Sequence, residues 1–203
     1  SVKNAEEFLD ETFIVISGDS LTNMDITKAI EFHKKKKSLA TLVLTRVDVP
    51  LEYGVVITNQ DGSIEGFLEK PSWGEVFSDT VNTGTYILEP EVLSQDLFPM
   101  LLRKKDPLFG YVMDDYWCDI GDLRAYLQAH YDVLEKKIDL NIDMTEIKPG
   151  VWVGNGTSID SEAIINAPCL IGDNCQIRKG AVVDSLCTIG NNNVIEEDVS
   201  LKR

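Results

Sequence analysis

Histidine is almost missing from this chain: His33 and His130 are the only two in 203 residues. Chemistry that depends on an imidazole base has few places to occur. Cysteine is sparse as well. Cys118, Cys169, Cys175 and Cys187 form no CxxC pair, which argues against a disulfide framework and leaves reduced thiols, and hence a cytoplasmic setting, as the expectation. Basic residues are in deficit, 19 Lys+Arg against 34 Asp+Glu for a net charge of −15. That balance excludes nucleic acid as the main partner and disfavours an anionic membrane, because phosphate-rich surfaces need a basic footprint. A small anionic substrate stays open, since a few lysines or a metal ion override net charge locally. No apolar run approaches the ~18 residues of a membrane-spanning helix. Methionine is absent from position 1, where Ser1 opens a segment that reads as the tail of a helix. The chain is therefore expected to be a piece of a longer protein, and its lack of a leader is uninformative.

What the sequence does have is clearest after residue 148. Val153, Ile159, Ile165, Ile171, Ile177, Val183, Ile189, Ile195 and Leu201 are spaced by six without a slip. Two residues before each stands a mostly small residue, including Ala163, Cys169, Cys175, Ala181 and Cys187. Gly154, Gly172 and Gly190 mark every third hexad, so one coil takes 18 residues. This is the pattern of a parallel β-helix, in which each short strand points one aliphatic side chain inward before the chain turns a corner. Three of the four cysteines occupy the small position and read as buried hydrophobes rather than metal ligands. The repeat runs to the end of the chain without an apolar cap, which predicts either further chain or a partner subunit over the last coil.

Residues 1–147 read as a separate α/β domain. Phe13-Ile14-Val15-Ile16 is a continuous apolar run, as in a buried parallel strand, and runs out in Ser17-Gly18-Asp19. Asp25 can cap a helix with Ile26, Ala29, Ile30 and His33 on one face, and Lys34 to Lys37 close to its end. Leu39–Val47 predicts a strand, and Asn59-Gln60-Asp61-Gly62 a hairpin turn between two more. Thr85–Leu88 predicts another strand, and Asp122 a helix with Leu123, Tyr126, Leu127, Tyr131 and Leu134 on one face. Alternating strands and helices predict a mostly parallel sheet with ligands at the carboxyl ends of its strands.

Two aspartates fall at such ends. Asp19 follows an apolar strand, and Asp119 lies in Trp117-Cys118-Asp119-Ile120-Gly121 just before a helix. If their strands adjoin, the carboxylates converge as a Mg2+ site completed by phosphate oxygens; the alternative is that each serves only a turn or cap. Glu69-Lys70-Pro71 ends a hairpin strand, where Lys70 can meet a phosphate and Glu69 can accept from hydroxyls, or the two can form a solvated surface pair. Tyr53-Gly54 and Asn82-Thr83-Gly84 each offer a glycine that permits close backbone approach to a ligand.

Taken in order, a strand ending in Gly-Asp, Tyr-Gly-Val-Val, Glu-Lys-Pro, Asn-Thr-Gly-x-Tyr and Trp-x-Asp-Ile-Gly resemble the sugar-1-phosphate nucleotidyltransferases, and within them the mannose-1-phosphate guanylyltransferases and related bacterial glucose-1-phosphate enzymes. The resemblance covers essentially the whole chain. It implies a partial Rossmann-like nucleotidyltransferase domain over 1–147 and a left-handed parallel β-helix of hexapeptide repeats over 148–203. It further implies that Asp19 and Asp119 bind Mg2+, that Lys70 contacts the sugar phosphate, that Glu69 binds sugar hydroxyls, that the Gly54 amide faces the sugar, and that Asn82 and Thr83 lie on the segment lining the sugar pocket. Trp117 is expected to pack and position Asp119. The family's glycine-rich loop, which cradles the nucleoside triphosphate, has no counterpart in residues 1–20. The chain is thus expected to carry the sugar side and both metal aspartates without the nucleotide side, and to be inactive alone.

The reaction implied is an attack by a phosphate oxygen of the sugar 1-phosphate on the α-phosphorus of a nucleoside triphosphate, with pyrophosphate leaving. The attacking group is already an anion, so no base is needed, in keeping with the scarcity of histidine. A hexapeptide acyltransferase is the first rival, but residues 148–203 contain no His. A non-catalytic regulatory homologue is the second, against which the retained Asp19, Lys70 and Asp119 argue. A purely structural module fits residues 148–203 taken alone, and the aliphatic ladder predicts a homo-oligomer.

Overall fold

The computed structural model describes residues 2–72, 74, 78–92 and 97–203. The chain forms two compact units, Ser1–Asp119 and Ile120–Arg203. The helix expected to close the first domain therefore groups with the repeats, and compactness divides the chain earlier than the change of sequence pattern near residue 148.

The first unit contains, in order, β1 (Phe13–Val15), β2 (Ser20–Thr22), α1 (Ile26–Lys36), β3 (Ala40–Arg46), β4 (Gly54–Thr58), β5 (Ile64–Glu69), β6 (Thr80–Leu88), α2 (Leu97–Lys104), β7 (Leu108–Val112) and β8 (Trp117–Asp119). Strand β3 is the centre of the main sheet. Ala40 to Thr45 are all buried, and the side chains divide by period two. Ala40, Leu42 and Leu44 pack into one core with Leu101 of α2, while Val43 joins Ala29 of α1 in a second core on the other face. Helices thus cover both faces, which is why this strand is buried on both sides.

The sheet runs β5-β4-β6-β3-β7, with β1 also paired to β6. Only β3 and β7 pair in parallel; β1–β6, β3–β6, β4–β5 and β4–β6 are antiparallel. The expected mostly parallel sheet is therefore corrected to a mixed one. The cause is β6, which lies between β1 and β3 and runs against both: Tyr86 faces Val15 on one side and Leu42 on the other. Strands β1, β3 and β7 still point the same way, so their carboxyl ends open on one edge.

Local signals are realised closely. Asp25 caps α1, its Oδ1 accepting from the Lys28 amide at 3.2 Å, and Lys37 ends the helix in the left-handed region at φ 49°. The Asn59–Gly62 turn closes the β4–β5 hairpin, with Asn59 N donating to Ser63 O at 2.8 Å. His33, 1% exposed, is a core residue; its ring nitrogens lie 2.8 Å from Thr41 Oγ1 and 2.9 Å from Glu89 Oε1.

In the second unit, α3 (Leu123–Leu134) is capped by Asp122, which accepts from the Arg124 and Ala125 amides at 2.8 and 2.7 Å. Its buried residues are Ala129, Asp132 and Leu134, whereas Leu123, Tyr126 and Leu127 are 86%, 53% and 49% exposed. Of the apolar face, Leu134 is buried and Tyr131 half-buried, while its N-terminal part is exposed. The helix also turns inward the side that carries Asp132, whose charge is met by Lys137 Nζ at 2.8 Å.

Strand β9 (Thr145–Lys148) lies antiparallel across the first coil. The coils follow as β10 (Val151–Val153), β11 (Ser158–Ile159), β12 (Ile164–Ile165), β13 (Cys169–Ile171), β14 (Gln176–Ile177), β15 (Val182–Val183), β16 (Thr188–Ile189), β17 (Val194–Ile195) and β18 (Ser200–Leu201). They stack as three parallel faces, β10-β13-β16, β11-β14-β17 and β12-β15-β18, in a register that pairs Val151 with Cys169 and Ile159 with Ile177, a step of 18 residues. Every aliphatic hexad position belongs to or packs on one core, and Cys169, Cys175 and Cys187 are buried within it.

Candidate active site

The loops at the carboxyl ends of β1 and β7 are joined by a second, two-stranded sheet. Strand β2 pairs antiparallel with β8, setting Ser20 opposite Asp119, Leu21 opposite Cys118 and Thr22 opposite Trp117. Side chains tie the ribbon down: Thr22 Oγ1 donates to Tyr116 O at 2.7 Å and accepts from Met24 N at 3.1 Å, and Tyr116 N donates to Asn23 Oδ1 at 3.0 Å. Because Asp119 faces Ser20, Asp19 is its diagonal neighbour. The two aspartates 100 positions apart in sequence are thereby brought together.

Their electrostatics differ. Asp19 is exposed, and the Ser17 hydroxyl, donating to its Oδ1 at 2.6 Å, holds its carboxyl below the usual range. Asp119 is half-buried; burial first, and the charge of Asp19 second, push it up. Asp119 thus feels the charge of Asp19, and among the described residues neither carboxylate is in an ion pair. Two neighbouring carboxylates without a cationic partner are a donor set that fits Mg2+, which takes few protein oxygens and completes its shell with water or phosphate. No group of three or more His, Cys, Asp or Glu suited to a metal occurs among the described residues, so any further ligands would come from substrate.

The hairpin end of β4 and β5 lies beside this pair. Tyr53 packs edge-to-face on Trp117 with centroids 5.6 Å apart, and burial together with the charge of Asp119 raises its phenol pKa. The next residue, Gly54, is paired with Glu69, and a Cβ on it would lie 3.2 Å from Glu69 Oε2. The missing side chain therefore leaves the Glu69 carboxylate room over the glycine. Lys70 turns away from the strand at φ 44°, its amide donating to Tyr53 O at 3.2 Å. Gly54, Glu69 and Lys70 are thus brought to one end of one hairpin, next to Trp117 and Asp119.

Strand β6 contributes a bulge. Val43 pairs with Thr85, but Leu44 pairs with Asn82, so Thr83 and Gly84 are left over. Asn82 Oδ1 accepts from the Gly84 amide at 3.0 Å and its Nδ2 donates to Tyr86 Oη at 2.8 Å. Thr83, 3% exposed, donates its hydroxyl to Val43 O at 2.8 Å. Both residues expected to line the sugar pocket therefore commit their side chains to shaping the bulge; what the segment offers outward is backbone around Gly84. Trp117 packs against the core of Val43, Ile87 and Met113 as expected of a positioning residue, yet its buried Nε1 has no hydrogen-bond partner among the described residues, a departure from the usual satisfaction of buried donors. Sequence reasoning missed the parts played by Ser17 and Tyr53: Ser17 bonds Asp19 only two residues on, a local signal that could have been found, whereas Tyr53 meets Trp117 through long-range packing.

Comparison with known proteins gives the family. Residues 1–136 match the family model described as Nucleotidyl transferase, and residues 150–185 match the bacterial transferase hexapeptide repeat. The UTP–glucose-1-phosphate uridylyltransferase of Synechocystis is 37% identical over 84% of this chain and 48% of its own length. Mannose-1-phosphate guanylyltransferase 1 of Arabidopsis thaliana is 31% identical over 80% of this chain and 46% of its own. Among solved structures, HddC from Yersinia pseudotuberculosis is 26% identical with a TM-score of 0.54, covering 63% of this chain and 58% of that one. The chain belongs to the nucleotidyltransferase family, with a left-handed hexapeptide β-helix following the nucleotidyltransferase domain. It spans about half the length of the curated relatives it matches.

Proposed function

We propose that this chain carries the sugar-phosphate side and the metal carboxylates of an enzyme that joins a nucleoside triphosphate to a sugar 1-phosphate, releasing pyrophosphate. The observation that carries the reading is the convergence of Asp19 and Asp119 across the β2–β8 ribbon, with the Gly54–Glu69–Lys70 hairpin end beside them. Lys70 binds the sugar phosphate as a point charge, Glu69 accepts from sugar hydroxyls, and the Gly54 amide approaches the sugar where no side chain intervenes. Asn82 and Thr83 keep the bulge open beside them. Mg2+ held by Asp19 and Asp119 would supply neutralisation of the phosphate charge that otherwise keeps two anions apart.

A phosphate oxygen of the sugar 1-phosphate forms the new bond to the α-phosphorus, and the bond to pyrophosphate breaks in line. Orientation and charge account for the rate, so no histidine is required. The names of the relatives favour glucose or mannose as the sugar. The chain spans about half the length of the curated relatives it matches, and the chain alone is proposed to be inactive. All four cysteines are free thiols, which suits a cytoplasmic protein. The β-helix, stacking coil on coil, suits contacts between subunits of a homo-oligomer.

The test is pyrophosphate release by the full-length gene product, with a panel of nucleoside triphosphates against glucose and mannose 1-phosphates. Release with one pair, lost in Asp19→Asn, is expected. A folded protein that releases none with any pair would overturn the reading in favour of a regulatory homologue.

A further inference from the structure

Strand β1 ends at Val15, and residues 16–19 leave the sheet before β2 begins. In that gap one side chain takes over the connections. The Ser17 amide donates to Gly84 O at 3.2 Å, its hydroxyl donates to Asp19 Oδ1 at 2.6 Å, and its carbonyl accepts from Ser20 Oγ at 3.4 Å. The fit to the β6 bulge is close. Gly84 sits at φ +76°, and a Cβ there would come within 2.9 Å of Ser17 Cβ. Ser17 therefore rests on the bulge with its backbone and on Asp19 with its hydroxyl.

We infer that Ser17 is a positioning residue that fixes the Asp19 carboxylate for the cation and links it to the Asn82–Gly84 bulge. The inference rests on the reading of Asp19 and Asp119 as the cation pair. Asp19 is exposed, and Ser17 is the side chain that orients it. With Oδ1 accepting from Ser17, and its own amide bonded to it as well, the carboxylate is held in one rotamer. Without that bond it turns in water, and a cation must order it on binding. Outer-shell partners of this kind typically change metal affinity by about 10–100-fold. A shift of the bulge when sugar phosphate binds would reach Asp19 through the same residue.

The experiment has two readouts. Mn2+, added alone to the chain, is followed by paramagnetic broadening of the backbone amides of residues 17–20 and 118–120. In the full-length protein, pyrophosphate release is titrated with Mg2+. Ser17→Ala is expected to need roughly tenfold more Mn2+ for the same broadening, and roughly tenfold more Mg2+ for half-maximal rate, while the rest of its amide spectrum is unchanged. Ser17→Thr, which keeps the hydroxyl, is expected to restore both. Identical Mn2+ titrations of Ser17→Ala and the parent, with only melting temperature or kcat altered, would overturn the positioning role and leave the carboxylate pair standing. Failure of Mn2+ to broaden these amides in the parent would overturn the pair itself, and the inference with it.

Discussion

Ser20 and Asp119 face each other across a ribbon only three residues long, and that pairing brings Asp19 beside Asp119. Burial and the neighbouring charge raise the Asp119 pKa, so the folded protein takes up a proton there more readily than the unfolded chain does. Stability contributed at this site is therefore lost as pH rises from the unfolded value through the raised folded one. Asp119→Asn is expected to lower turnover of the proposed full-length enzyme while raising the melting temperature at neutral pH. The stability gap between variant and parent should close as pH falls through the Asp119 pKa, because the parent carboxyl then becomes neutral too. Thermal melts of both proteins from pH 4 to 8 check this, and a gap that widens toward acid would contradict it.

His33 joins three segments. Its ring lies against Thr41 of β3 and Glu89 beyond β6, and Thr12 Oγ1 donates to the same Glu89 oxygen at 2.9 Å. His33→Leu preserves bulk but strips the fully buried Thr41 hydroxyl of its ring partner. The expected loss is about 1–3 kcal/mol, the range for an unsatisfied buried polar group. Urea denaturation measures it, and the Mg2+ dependence proposed for the full-length protein should not move, since His33 touches neither carboxylate.

The features legible in the sequence are those whose partners are fixed by local geometry. The hexad ladder is one, because each residue meets the residue 18 positions on, as Ile171 meets Ile189. The caps at Asp25 and Asp122 and the turn before Ser63 are others. What stayed hidden depends on long-range pairing. The insertion of β6 between β1 and β3 turns a parallel pattern into a mixed sheet, and nothing local to Thr80–Leu88 signals it. The apolar residues Leu123, Tyr126 and Leu127 obey helical spacing, yet spacing does not say which side of α3 a neighbour covers. At the candidate site the carboxylates, the hairpin end and the bulge segment were legible by residue type. That Thr83 bonds Val43, and that Tyr53 packs on Trp117, required the fold.

Two glycines separate backbone need from accident. Gly180 turns a corner of the β-helix at φ +71°, where a Cβ would lie 2.1 Å from Asp198 Oδ1. Gly66 lies inside β5 at an ordinary dihedral, and its Cβ would meet only Ile57 Cδ1 at 4.0 Å. Gly180→Ala is expected to cost about 1–2 kcal/mol, the penalty of a left-handed L-residue. Gly66→Ala should stabilise by roughly 0.5–1 kcal/mol, by restricting the unfolded chain and favouring the strand. Opposite shifts in the denaturation midpoints are the result to look for, and equal losses in both would contradict the argument.

Cys169 stands fully buried in the β-helix core, where burial and the neighbouring Cys187 push its thiol up to about 11. The thiolate is the reactive form. At pH 8 a thiol of pKa about 11 is ionised roughly once in a thousand molecules, and here it is also closed to solvent. Iodoacetamide at pH 8 should therefore leave Cys169 unmodified in the folded protein for as long as the coils stay closed. Modification should appear only at urea concentrations that unfold the repeats, and its rate should follow the unfolded fraction. Peptide mass mapping after timed labelling resolves Cys169 from Cys175 and Cys187. Fast labelling of Cys169 in the absence of denaturant would mean that the first coils open independently of the rest, which the continuous core from Val151 to Ile189 argues against.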